Sequence, residues 1–251
     1  MYVSFYLATF WIGLWARLPY FQWIAVASAC CATAGTIWLW HGGRWDLGLR
    51  VPVAVAGREL LEGLAVALLL IGSADAIIVL TTPLRHAAGH GFPIAQMATV
   101  FIPAVLHEEL VFRGYPYQIL RRSRRWIAIV ASSLVFAAFH MGNSDVTPLA
   151  LVNIFIGGVV LALAYERHKR LWMPIGLHFG WNLVSGPILG YEVSGFPSRQ
   201  SLLVTIVTGR PLLTGGGFGI EGSVIMTVVE AVAAILLWRT RNGERGTVNG
   251  E

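Results

Sequence analysis

The sequence predicts an all-α fold, a polytopic bundle of transmembrane helices, and two observations support this prediction. First, 56% of the 251 residues are hydrophobic and only 12% are charged, whereas about 25% of the residues of a soluble domain are charged. Second, the apolar residues are gathered into runs of the length that a helix needs to cross a bilayer, roughly 20 residues. With so little charge the chain cannot cover a water-facing globule, so we expect residues 1–251 to form a single integral-membrane domain.

About eight apolar runs are expected to span the membrane. They cover residues 2–16, 19–40, 58–81, 93–120, 126–141, 148–166, 172–189 and 222–238. The first run is short, but it lacks the basic start and small-residue cleavage site of a signal peptide, so we count it as a span. Residues 190–221 are predicted to be a long loop, a flexible outer loop or a re-entrant turn. Its glycine run lacks the GK[ST] ending of a phosphate-binding loop, so no nucleotide is expected.

Basic residues occur on alternate connections between the runs, and this pattern predicts the orientation. The clusters are Arg44, Arg50 and Arg58; Arg121, Arg122, Arg124 and Arg125; Arg167, Lys169 and Arg170; and Arg239, Arg241 and Arg245. Because cytoplasmic loops are enriched in Lys and Arg, we expect both termini in the cytoplasm, residues 239–251 as a cytoplasmic tail, and the plasma membrane as location. No basic patch alternates with aromatic residues, so nucleic acid is not an expected partner, whereas membrane lipid is.

Ionisable side chains inside an apolar run mark a candidate site, because they are costly in a bilayer and usually functional. The fourth run contains Glu108, Glu109 and Arg113. Glu109 and Arg113 are one helical turn apart and can form an ion pair, whereas Glu108 points about 100° away. A carboxylate in a dry site can act as a general base. The spacing therefore leaves Glu108 free for chemistry, although an ion pair that only joins two helices is the alternative.

Two further runs place candidate site residues four positions apart, on one face of a helix. Phe136 and His140 lie in the fifth run, and His178 and Asn182 lie in the seventh. Two hydrogen-bond donors on one face can stabilise an oxyanion, or they can bind another helix. The other acidic residues in or near the apolar runs include Glu59, Glu62 and Glu230.

In this order, the three motifs resemble those of the CAAX protease and bacteriocin-processing family, which carries EExxxR, FxxxH and HxxxN/D on separate transmembrane helices. The matching residues are Glu108, Glu109 and Arg113; Phe136 and His140; and His178 and Asn182. The resemblance covers residues 93–189, the expected catalytic core. It implies an intramembrane glutamate-type endopeptidase with its active site inside the bundle, whose substrate is a membrane-associated protein or peptide.

The resemblance also implies a role for each residue. Glu108 and His140 would activate a water, His178 and Asn182 would stabilise the oxyanion, and Glu109 and Arg113 would support the site. No cofactor is expected, since Val111 interrupts the HExxH pattern of zinc proteases. Zinc bound by Glu108, His140 and His178 is the alternative.

Two functions from other classes use the same buried polar residues. A proton-coupled transporter needs buried acids and bases, but it would show broken helices in two matching halves, and no such symmetry is visible in the sequence. A non-catalytic membrane scaffold is the other alternative.

Overall fold

The computed structural model describes residues 21–198 and 200–248, with side chains as far as residue 239. The first expected span, residues 2–16, lies outside the described residues. The described part of the chain is α-helical apart from one pair of short strands. The predicted all-α helix bundle is therefore confirmed.

The described elements follow the expected apolar runs closely. The α-helices are α1 (Phe21–His41), α2 (Val53–Thr81), α3 (Ile94–Gln96), α4 (Ile102–Phe112), α5 (Tyr115–Ser123), α6 (Arg125–Phe139), α7 (Pro148–His168), α8 (Trp172–Leu183), α9 (Pro211–Thr214) and α10 (Val224–Val248). A π-helical turn, Met97–Phe101, joins α3 to α4, and a second one, Val184–Ile188, extends α8. The antiparallel strands are β1 (Arg85–Ala88) and β2 (Leu203–Ile206).

Four helical stretches in the described residues are long and apolar enough to cross a membrane. They are Phe21–His41, Val53–Thr81, Ile94–Ser123 and Pro148–His168, and Arg125–Phe139 is apolar but shorter. The outer surface of α2 shows what surrounds these helices, because Leu69 and Leu80 are 70% and 83% exposed while Ile71 and Ile78 are fully buried. Such a bare apolar surface is suited to lipid rather than to water.

The fourth expected span is not one continuous helix. α4 ends at Phe112, and α5 begins at Tyr115 after a break at Arg113 and Gly114. A Cβ atom at Gly114 would lie only 2.1 Å from the carbonyl oxygen of Leu110. Only glycine therefore fits at this position of the backbone. The break places Arg113 at the end of α4, where its side chain turns into the bundle.

Helices α2 and α8 pack with their backbones in close contact. A Cβ atom at Gly63 would lie 2.2 Å from the carbonyl oxygen of Met173, and one at Gly176 would lie 2.2 Å from that of Leu60. Small residues at such crossings let membrane helices approach closely, and van der Waals contact then holds them together. This packing fixes the position of α8, which carries the third motif.

The connections gather at two opposite ends of the bundle. At the basic end, Trp45 donates a hydrogen bond to Gln118 over 3.1 Å, and the guanidinium of Arg122 lies 3.8 Å above the ring of Trp45. At the other end, the side chain of Asn143 donates to the carbonyl oxygen of Ser194 over 2.9 Å. At each of these two places, two connections of the bundle are therefore in contact.

The predicted long loop, residues 190–221, is a folded connection that packs into the bundle. It contains β2, α9 and two 3₁₀ turns, and it buries Phe218 and Ile220 completely. The glycines allow this compact path, because Gly215 and Gly219 have positive φ angles of 90° and 95°. A Cβ atom at Gly219 would lie 1.9 Å from the carbonyl oxygen of Glu192. This segment therefore contains short helices and a strand that the sequence did not predict.

Candidate active site

Glu109 and Arg113 form the ion pair that their spacing predicts. Nη1 of Arg113 lies 3.0 Å from Oε1 of Glu109, and both side chains are fully buried. Nη2 of Arg113 donates to the carbonyl oxygen of Gly158 on α7 over 3.1 Å. A buried arginine needs such partners because an unpaired charge is costly in a bundle interior. The pair therefore ties the end of α4 to α7.

His178 lies between the two adjacent glutamates. Its Nδ1 atom is 2.8 Å from Oε1 of Glu109, and its Nε2 atom is 3.8 Å from Oε2 of Glu108. Because Glu109 is paired with Arg113 and accepts hydrogen bonds, Nδ1 of His178 is the donor. Nε2 therefore carries a proton only when the ring is an imidazolium, and it then points a donor at the region of Glu108. The structure thus brings the first and third motifs into direct contact.

His140 is held in one tautomer by its own helix. It caps the end of α6, and its Nδ1 atom lies 2.8 Å from the carbonyl oxygen of Phe136. A carbonyl oxygen can only accept, so Nδ1 carries the proton and Nε2 of the neutral ring keeps a free lone pair. The second motif therefore presents a base.

The ring of Phe136 joins the three motifs. Its centroid lies 4.7 Å from that of His140 and 6.0 Å from that of His178. Cζ of Arg113 lies 4.6 Å from the same centroid, a cation–π distance. Phe136 therefore holds both imidazoles and the buried guanidinium in place.

Asn182 and Glu108 complete the predicted set. Asn182 is 8% exposed and follows His178 by one turn of α8. Oε2 of Glu108 is buried and has no hydrogen-bond partner among the described residues. The structure thus joins Glu108, Glu109, Arg113 and His178 through direct contacts, and it brings His140 to them through Phe136.

A cavity of about 30 Å³ lies beside the two histidines. Its polar lining residues are His140, His178, Trp181, Ser194, Glu221 and Glu230. A space of this size holds a water molecule, which needs roughly 10–15 Å³. The space beside His140 and His178 can therefore hold a water molecule.

Residues 90–184 match the family model described as "Type II CAAX prenyl endopeptidase Rce1-like". This segment contains all three motifs. This part of the chain is therefore similar to the CAAX prenyl endopeptidases.

Two curated relatives each match about a third of the chain. An uncharacterized 24.3 kDa protein of Escherichia coli is 32% identical over 88 residues, which are 34% of this chain and 40% of that protein. The UPF0177 protein YvdC of Lactococcus lactis is 28% identical over 91 residues, 36% of this chain and 34% of the relative. The chain thus spans well under half the length of either relative. No solved structure matches it. The family match and the apolar helices together make the chain a membrane protein.

Two residues of the site lie outside the segment that matches the CAAX protease family. Glu221 and Glu230 line the cavity beside His140 and His178. The sequence contained a signal for Glu230, since it is an acidic residue within an apolar run. Glu221 gave no such signal because it follows a glycine run that reads as a loop, and only the folded connection brings it inside.

Proposed function

We propose that the protein is an intramembrane glutamate-type endopeptidase, which hydrolyses a peptide bond of a membrane-associated protein or peptide in the plasma membrane. The observation that supports this most strongly is the position of His178. One of its ring nitrogens is bound to the Glu109–Arg113 pair, and the other faces Glu108. Two neighbouring glutamates are thereby given different environments, one paired and one free to react.

In the proposed mechanism Glu108 and His140 activate the attacking water, and Glu108 takes its proton. Oε2 of Glu108 has no hydrogen-bond partner among the described residues, and Nε2 of His140 has a lone pair. Each can therefore accept a proton, as general base catalysis requires. The water oxygen then bonds to the peptide carbonyl carbon, and negative charge develops on the carbonyl oxygen.

His178 and Asn182 are proposed to stabilise that negative charge. With Nδ1 donated to Glu109, the imidazolium form of His178 offers Nε2–H to the oxyanion. The amide of Asn182, one turn along α8, can supply a second donor. Donors placed before the reaction stabilise a developing oxyanion without reorganisation, and the loss of one typically lowers kcat by roughly 10²–10³-fold.

The residues of the site do not fit a bound zinc. Among the described residues, no three His, Cys, Asp or Glu side chains are arranged to hold a metal ion. Nδ1 of each histidine is bonded to Glu109 or to the carbonyl oxygen of Phe136, so only Nε2 could bind a metal, and no third ligand is arranged with the two rings in the described residues. The mechanism is therefore proposed without a cofactor, although zinc on Glu108, His140 and His178 remains the rival to test.

A comparison of membrane-protein termini tests the proposal. Cells that produce the wild type, Glu108→Gln or Glu62→Gln are compared by mass spectrometry of peptide ends. Glu62 is a suitable control because it is a third exposed and forms ion pairs on α2, away from the cavity. We expect new termini with the wild type and with Glu62→Gln, but not with Glu108→Gln. If the three samples show the same termini, the protein is a scaffold or a transporter rather than a protease.

A further inference from the structure

Two buried acids that the proposed mechanism does not use line the cavity beside the catalytic histidines. Glu221 precedes α10, and Glu230 lies within it, 4% and 1% exposed. Both lie after residues 90–184, the segment that matches the family model. Their side chains share the cavity of about 30 Å³ with His140 and His178, so one water molecule can connect them to the site.

Glu221 is held as a carboxylate by three hydrogen bonds. Oε1 accepts from Nε1 of Trp181 over 2.7 Å. Oε2 accepts from the backbone N–H of Ser194 over 2.6 Å and from the Ser194 hydroxyl over 2.8 Å. Indole and backbone N–H groups can only donate, so the acceptor-only ionised form of Glu221 suits these partners. Burial raises the pKa of Glu221, whereas these three hydrogen bonds lower it and favour the carboxylate form beside the cavity.

The carboxyl group of Glu230 differs from that of Glu221 in its hydrogen-bond environment. Its Oε2 atom is buried and has no hydrogen-bond partner among the described residues, and the described side chains include no ion pair with it. A Cβ atom at Gly157 would lie 3.4 Å from Oε1, so this glycine leaves space for the carboxyl group. An unpaired carboxylate in a membrane bundle is costly, and the charge of Glu221 nearby raises that cost. Glu230 is therefore suited to the neutral acid form, with a proton to give.

We propose that Glu230 is a proton donor to the active site, which acts through the cavity on His140. This inference rests on the proposed protease function. It assigns Glu230 a positioning and proton-supplying role behind His140, without contact with the substrate. The titratable groups that face Glu230 across the cavity are Glu221, His140 and His178.

The proton count of the reaction balances with this assignment. Hydrolysis forms a bond between the water oxygen and the carbonyl carbon and breaks the bond from that carbon to nitrogen. The departing nitrogen needs one proton, which Glu230 supplies through the cavity water and Nε2 of His140. Glu108 takes one proton from the attacking water, and this proton returns to Glu230 when the products leave. No net proton is consumed.

The alternative is that Glu230 has only a structural role, as a polar group tolerated between helices. A purely structural residue would change stability but not the dependence of activity on pH. A proton donor loses its proton as the pH rises, so the wild type should lose activity on the alkaline side. A variant without that proton should be slow and should lack this alkaline decline.

The test uses full-length protein in liposomes. The probe is a reporter peptide whose cleavage requires Glu108. The variants are Glu230→Gln, which cannot donate a carboxyl proton, Glu230→Asp, which can, and Glu62→Gln as control. We expect Glu230→Gln to lower kcat by roughly 10²-fold with an unchanged KM and no alkaline decline. Glu230→Asp should recover part of the activity together with the decline, and Glu62→Gln should match the wild type.

Infrared spectroscopy of the same samples provides a readout that is independent of cleavage. The C=O stretching band of a protonated carboxyl group should be present in the wild type and in Glu62→Gln, and it should be lost in Glu230→Gln. A band that persists in Glu230→Gln would overturn the inference. The inference would also be overturned if Glu230→Gln had the kcat and the pH profile of the wild type while cleavage still required Glu108. If the wild type cleaves nothing, the protease proposal itself fails, and the donor role fails with it.

Discussion

His178 donates its Nδ1 proton to Oε1 of Glu109 over 2.8 Å. The same oxygen accepts a hydrogen bond from Arg113, so one carboxylate oxygen orients both a cation and an imidazole. Glu108, the next residue, takes no part in that pair because it points about 100° away around the helix. Neighbouring residues of the same type are therefore expected to respond differently to the same substitution.

Glu108→Gln should abolish catalysis but leave the fold intact. Oε2 of Glu108 has no hydrogen-bond partner among the described residues, so a neutral amide of the same shape removes no hydrogen bond and weakens only the 3.8 Å contact with His178. We expect kcat to fall by roughly 10²–10⁴-fold, the usual contribution of a general base. Thermal unfolding in detergent should match that of the wild type.

Glu109→Gln should instead destabilise the protein. The substitution leaves Arg113 fully buried without its counter-charge, and breaking a buried ion pair from one side costs roughly 3–5 kcal/mol. Denaturant unfolding in detergent micelles measures the difference between the two variants. Equal stability of Glu109→Gln and the wild type would show that the ion pair does not support the fold.

Close packing of α2 against α8 predicts a second contrast within one helix. Gly63→Ala places a methyl group 2.2 Å from the carbonyl oxygen of Met173, whereas Gly72→Ala meets nothing within 4 Å. Overpacking typically costs roughly 1–3 kcal/mol, so Gly63→Ala should lower the free energy of unfolding. Gly72→Ala should raise it slightly, because alanine loses less backbone entropy than glycine.

The measurement for this pair combines denaturant unfolding with the cleavage assay. Displacement of α8 would move His178, so Gly63→Ala should also lower activity, while Gly72→Ala should not. If both variants behave alike, backbone contact between α2 and α8 does not fix the position of the site.

The sequence was sufficient to predict the helices and the motif residues because both signals are local. Apolar runs indicate membrane helices, and a spacing of four residues places Glu109 and Arg113 on one face. The break at Gly114 was not predicted, since it depends on contact between the chain and Leu110 rather than on composition. The roles of the ring nitrogens of His140 and His178 could not be predicted either, because they depend on which helix supplies each hydrogen-bond partner.

The path of the folded connection before α10 could not be predicted either, because it depends on contacts between distant residues. A glycine run indicates a turn, but its path depends on positive φ angles and on backbone contacts such as that of Gly219 with Glu192. That path carries Glu221 to Trp181 on α8. Long-range placement of this kind leaves no periodic pattern in a single sequence.

Metal removal should leave the activity unchanged. No three His, Cys, Asp or Glu side chains in the described residues are arranged to hold a metal ion. Chelator-treated protein should therefore cleave the reporter peptide at the wild-type rate. Metal analysis gives the control: stoichiometric zinc whose removal abolishes activity, and whose return restores it, would contradict the metal-free mechanism.

The arrangement of the connections predicts the membrane orientation. Trp45, Gln118 and Arg122 meet at the basic end of the bundle, and positively charged loops remain in the cytoplasm. Asn143 contacts Ser194 at the opposite end, so a reporter enzyme fused after residue 143 should lie outside the cell. The matched control carries the same reporter after Arg170, and this reporter should lie in the cytoplasm. Cytoplasmic activity of the first fusion would invert the orientation, and the same side for both fusions would mean that α7 does not cross the membrane.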